Sequence, residues 1–395
     1  MLATAAWRRR AHASAAHAAT PPARVAGVAL PDWVTALVDA PGTRTVARAL
    51  GLAAGVGVLA LAAFGPVDAD RNPASRLVLV VGWAGLVPLS LVAPGAWRAL
   101  SPLRGATALL ARLSGDPDEQ GVRALPEGLG WWPGVAALAA LAVVEGPLRG
   151  DPTALLVFLV AYALIQIGAA AVYGSGWYAH AEAFEIVAAL VGRLSPVARG
   201  QGGRWRLSSP LPRVAEPVPP GGLAVVGLLI GSALADFTAD TSLWSRLTLG
   251  RGDIAETWLD LALLTVCAAL ATALVWAAGP HTLRPAVLPI ASGYLFAHYF
   301  AVLLIEGQAA LAQLTNLARG ETALDIIVNY DLLPGPLAAS AQLLGFLAPH
   351  LLAAVFGTDL AVTRYGRRAG AAVAPLVGVL ALSAVAGAAL RYSAA

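Results

Sequence analysis

Lysine is absent from the 395 residues, so all 26 basic residues are arginine. Together with the abundance of alanine, this is a compositional bias and not a polyanion-binding footprint. The 26 basic and 23 acidic residues leave a net charge of only +3, which excludes a nucleic-acid partner. Cysteine occurs once, at Cys267 inside an apolar run. An intrachain disulfide and a cysteine-built zinc site are therefore excluded. Charged residues make up 12%, where soluble domains run near 25%. No phosphate-cradling glycine loop, nucleophile elbow or H-E-x-x-H helix is present. No span repeat stands out, which weakens an inverted-repeat transporter reading.

What the chain has in excess is apolar length. Hydrophobic residues make up 58%, with a mean hydropathy of +0.71. Nine segments read as membrane spans, at 46–66, 77–97, 131–145, 153–173, 221–237, 258–279, 286–306, 337–357 and 369–390. The third and fifth are short. None alternates as a barrel strand does, and backbone satisfaction in lipid then requires helices. The expected fold is all-α, a polytopic transmembrane bundle of about nine spans forming one domain over 46–395. Residues 1–45 read as a disordered basic tail. They hold Trp7-Arg8-Arg9-Arg10 but no apolar core of the kind a signal peptide needs. With that tail on the cytoplasmic face of the cell membrane, cytoplasmic segments collect 19 of the arginines and external ones 7.

Two connecting segments carry helical periodicity. Leu100, Leu103, Ala106, Leu110 and Leu113 recur among Arg98, Arg104 and Arg112. Phe184, Ile186, Val187, Leu190 and Leu194 recur among Glu182, Glu185 and Arg193. Both read as amphipathic helices at the inner membrane surface. Glu182 and Glu185 read as a solvated face or, alternatively, as a carboxylate pair at a cytoplasmic site.

Ionisable groups at bilayer depth are functional candidates by default. His298 lies about 18 Å into its span on a helix rising 1.5 Å per residue, and Glu306 about 12 Å further. One continuous helix therefore cannot bring both to one ion. His350, on the next span, is the expected partner of His298, and two imidazoles could share a zinc-like divalent metal with a carboxylate and a water. The alternative is a histidine hydrogen-bonded within the bundle, to a carbonyl, a tyrosine, Gln166 or Gln342. Glu145, Asp236, Asp260 and Glu306 all fall in the outer third of their spans. They form either an acidic outer vestibule or carboxylates resting at headgroup level.

Several stretches resemble actinobacterial multi-pass membrane proteins known as fenitrothion hydrolase. The family pattern G-E-A-F-E-V-Y is similar to Ala181-Glu182-Ala183-Phe184-Glu185-Ile186-Val187, and R-[LI]-S-P is met by Arg193-Leu194-Ser195-Pro196. A-H-Y-F-S-L-L-L-F-Q-G-Q is similar to the run from Ala297-His298-Tyr299-Phe300 to Glu306-Gly307-Gln308, and N-P-W-R to Ser101-Pro102-Leu103-Arg104. The likeness covers about 77–365. The chain departs from it at Pro349-His350, which stands for G-H, and at Gly357-Thr358-Asp359-Leu360-Ala361, which stands for A-H-D-R-A and lacks its histidine and arginine. Glu306 stands where an apolar residue or glutamine is expected.

The resemblance implies a membrane-embedded hydrolase of lipophilic organophosphorus or other esters. His298 and His350 would hold the metal or position a water. Asp236 or Glu306 would serve as base, and Tyr299 or Gln308 would polarise the leaving oxygen. A lipophilic small molecule could enter from the bilayer. The competing expectations are a transporter or channel with a polar path through Gln166, His298 and His350, and a non-catalytic membrane scaffold.

Overall fold

A computed structural model describes residues 27–68, 71–115, 119, 121–200, 202–320 and 328–393. The first 26 residues, and with them most of the expected tail, lie outside this set. The remainder of that segment is ordered: strand β1 (Gly27–Ala29), then helix α1 (Asp32–Asp39), which turns at Ala40 into α2 (Pro41–Phe64).

The described chain is helical apart from one small sheet. Seven apolar stretches are long enough to cross a bilayer. They are α2; α3 (Pro73–Val92); α6 (Pro152–Tyr173); α9 (Gly222–Ala239); α11 (Asp253–Ala277); Arg284–Ala318, whose main helix is α12 (Leu288–Ala318); and Gly335–Gly387. The last is a hairpin of α13 (Gly335–Tyr365) and α14 (Ala369–Ser393), reversed at Gly366 with φ 50°. The expected third span is α5 (Trp132–Glu145), whose 14 residues cover about 21 Å. It is too short to cross unaided.

Glycines fix how the helices align. On α9, a Cβ at Gly231 would fall 2.3 Å from Ala268 Cα, and one at Gly227 would meet Thr272. This pair of small residues four apart presses α9 and α11 backbone to backbone, antiparallel. Gly293 meets Pro349 and Gly345 meets Ala297, which sets the register of α12 on α13.

One end of the bundle carries the antiparallel sheet, in which β3 (Trp205–Ser208) lies between β1 and β2 (Val197–Arg199). Asp39 of α1 pairs with Arg199 there. Helix α4 (Pro102–Ser114) crosses α2 at this end and leaves Leu109, Leu110 and Leu113 exposed, as an amphipathic surface helix does.

The segment expected as a second surface helix is buried instead. The chain enters through α7 (Tyr178–Ala181), breaks at Glu182 and returns through α8 (Ala183–Gly192). Tyr162 donates to Glu182 from a point eleven residues before the end of α6. The break therefore lies about 16 Å inside the bundle. Such a non-helical turn at depth is tolerated only inside protein. Here Glu182 also accepts from Trp97 Nε1 (2.7 Å) and from the backbone N–H of Phe184 and Glu185, capping α8. Glu185 takes a two-point hydrogen bond from the buried Arg104 (2.6 and 2.8 Å), with Arg98 at 3.2 Å. These charges looked solvated in sequence because their partners lie about 80 residues away.

Candidate metal centre

The opposite end holds a cavity of about 440 Å³. Its walls come from the end of α5 with the following loop, α9, α11, the short helix α10 (Ser242–Thr248) and His298 of α12. Glu145, Asp236, Asp240, Glu256 and Asp260 face it. The lining cation is Arg149, which pairs with Glu256 and lies 3.7 Å from Asp260. Trp244 on α10 donates to Asp260 (2.9 Å).

Glu145, Asp236 and His298 converge at the cavity floor. One ligand atom from each lies within 4.8 Å of the others, and His298 Nε2 is 3.5 Å from Asp236 Oδ2. Two atoms each about 2.1 Å from one ion sit at most about 4.2 Å apart. Around a tetrahedral ion such atoms sit about 3.4 Å apart, so the trio needs to draw in by up to roughly 1.4 Å to share one. Three independent helices place these groups. Glu145 is the last residue of α5, Asp236 lies fourteen residues into α9, and His298 ten residues into α12. The His298 ring stands edge-on to Phe237 (5.4 Å) and Tyr299 (4.5 Å), which restrains its plane. Tyr299, buried, donates to Glu145 Oε1 at 2.7 Å and fixes that carboxylate.

Asp236 Oδ2 is buried with no hydrogen-bond donor. A buried acceptor left without a donor costs about 1–3 kcal/mol, more when charged, and native folds rarely keep one without a reason. Two carboxylates this close also repel. A divalent cation between them answers both problems, and two carboxylates with one imidazole form a donor set suited to zinc or manganese.

The other sequence candidates lie elsewhere. His350 is not a partner of His298. The contacts of Gly293 and Gly345 put His350 level with about Ser292, six residues or about 9 Å along the axis from His298. Both of its ring nitrogens are taken, Nδ1 by the Phe346 carbonyl (2.8 Å) and Nε2 by Ser383 Oγ (3.1 Å). Glu306 pairs with Arg76 at 2.7 Å. Gln308 exchanges hydrogen bonds with the backbone of Asn329 and tethers that loop. Gln166 accepts from Trp177 and donates to the Ala181 carbonyl, bracing the α7–α8 turn. The polar path expected through Gln166, His298 and His350 is thus divided among three separate sets of partners. Glu145 is the group that sequence reasoning undervalued. Its signal was its place as the sole charged residue of an otherwise apolar short helix.

Comparisons with protein-family models, with curated proteins and with solved structures find no match.

Proposed function

We propose that this chain is a membrane-embedded, metal-dependent hydrolase of lipophilic esters, phosphotriesters included, with Glu145, Asp236 and His298 holding a divalent cation. The observation that carries the reading is the convergence of these three side chains at the floor of an open cavity. A bound cation supplies Lewis-acid polarisation and an acidified water. Glu145 would hold the cation through one carboxylate oxygen and offer the other to a proton, with Tyr299 fixing its orientation. The resemblance to fenitrothion hydrolase points to the same reaction class, and the arginine distribution supports a cell-membrane protein with its N-terminal side in the cytoplasm.

A second reading, cation passage, draws on the five carboxylates lining the cavity. Against it, Trp83, Leu138, Leu141, Leu228 and Leu229 pack below Glu145 and are all buried. The void they enclose is about 10 Å³, room for one water at most.

The test is hydrolysis of a p-nitrophenyl phosphotriester by the purified protein, with Zn²⁺ or Mn²⁺ binding measured by calorimetry, beside His298→Ala. Loss of an outer-shell partner alone costs about 10- to 100-fold in affinity or activity. Loss of His298 should cost at least that in both. Cation binding or turnover that is unaffected by His298→Ala would overturn the assignment.

A further inference from the structure

The depth of the cavity floor points to where its substrate resides. Helix α11 exposes Trp258 and Trp276, eighteen residues or about 27 Å apart. That separation is close to the hydrocarbon thickness of about 30 Å, and exposed tryptophans settle at the two interfaces. Arg284 stacks on Trp276 at 4.4 Å, giving the sheet-side ring a charged neighbour suited to headgroups. The register of α9 on α11, with Gly231 against Ala268 and Gly227 against Thr272, puts Asp236 level with Leu263, which lines the same cavity. Asp236 is then five residues, about 7–8 Å, below the Trp258 ring. The cavity thus opens beside the Trp258 ring at the interface, where membrane lipids carry their ester linkages, and its floor lies one short step inside the hydrocarbon edge.

The walls suit an amphiphile at that depth. Helix α10 turns Trp244, Ser245 and Thr248 to the cavity and leaves Leu243 and Leu247 exposed on its other side. One wall is therefore a short amphipathic helix with an apolar outer surface at the level of the interface. The charge of the mouth is selective. Arg149 is shared between Glu256 and Asp260, and a cation on the floor would engage Glu145 and Asp236, so the mouth keeps a net negative charge to which Asp240 contributes. An anionic head would be repelled there, and an ammonium attracted.

We propose, on the hydrolase reading above, that the substrate is an acyl-ester amphiphile resident in the leaflet on the cavity side, with a zwitterionic or cationic head. Water adds through its oxygen to the acyl carbon and gives a proton to Glu145. The acyl carbon–oxygen bond breaks and the leaving alkoxide takes that proton, so one ester and one water become a carboxylic acid and an alcohol. Asp240 is the residue that selects the head.

The test uses the full chain in nanodiscs with Zn²⁺ or Mn²⁺. Fatty-acid release is measured by mass spectrometry from phosphatidylcholine, a long-chain acylcholine and phosphatidylglycerol, beside turnover of a soluble p-nitrophenyl ester and calorimetric metal binding. Release should favour acylcholine and phosphatidylcholine over phosphatidylglycerol. Asp240→Asn, at an exposed helix end, should lower that ratio about fivefold, the effect of one charge a few ångströms away in a wet site. Cleavage of the soluble ester alone, or a preference for phosphatidylglycerol, overturns the substrate assignment and leaves the hydrolase reading intact. Metal binding with no ester cleaved overturns the hydrolase reading and this one with it.

Discussion

Glu182 and Glu185 near the sheet, and Glu145 and Asp236 near the cavity, are both carboxylate pairs enclosed by apolar helices. Their surroundings differ. Glu182 accepts four hydrogen bonds, and Glu185 has Arg104 and Arg98. At the other end Glu145 takes one tyrosine hydroxyl, while Asp236 Oδ2 is buried without a donor, beside a histidine at 3.5 Å. The first pair is a finished network, and it holds a helix break deep in the bundle. The second keeps unshared carboxylate lone pairs in reserve around a hollow. Charge left uncompensated at a cavity marks a functional group more often than a structural one, because packing and pairing would otherwise have removed it.

The largest expected effect would break the comparison outright if it failed. Arg104→Ala leaves Glu185 buried with only the largely exposed Arg98 nearby. Removing one partner of a buried pair costs about 3–5 kcal/mol. Arg98 should hold the loss near the lower figure in detergent unfolding. Asp236→Asn should change stability without added cation by no more than about 1 kcal/mol, since it also removes a like-charge contact. Equal losses from the two substitutions would mean that both ends serve stability alone.

Tyr299→Phe sharpens the contrast at the cavity end. It deletes the hydroxyl that holds Glu145 and leaves the three ligands in place. Divalent-cation affinity should fall about 10- to 100-fold by calorimetry. An unchanged affinity would show that Glu145 needs no aiming.

The smallest effect lies on the sheet. Arg199, helped by Arg44, holds the half-buried Asp39 carboxyl below its usual range by hydrogen bonding and charge. A carboxylate depressed in the folded state contributes stability above its unfolded pKa of about 3.9. That contribution fades as pH falls through the folded value. Proteolytic release of α1 should therefore rise below about pH 4, and Asp39→Asn should weaken that pH dependence, leaving the part that Asp32, paired with Arg204, contributes. A release rate flat with pH in the native chain would remove any role for this pair.

The all-helical, apolar character was legible because lipid demands long apolar runs, though seven stretches and not nine are long enough to cross, and His298, Asp236 and Tyr299 stood out as polar groups within them. The partner of His298 was not legible. Its depth was measured from assumed span ends, whereas the true register comes from Gly293 against Pro349 and Gly345 against Ala297. A helix of 31 residues such as α12 overshoots any bilayer, so its ends say little about depth. Helix α8 was misread for a related reason. Charges at helical spacing look solvated until Arg104 and Trp97, far away in sequence, are brought to them.

Strand β1 has a consequence for the order in which the molecule is made. Gly27 pairs with Ser208, and the intervening chain includes α2, α3 and α6. A ribosome adding about 5–20 residues per second needs roughly ten to thirty-five seconds to supply that partner. For that interval the strand must wait outside the bilayer while three long helices enter it. Closing the sheet then ties the start of the described chain to a strand made only after those three helices.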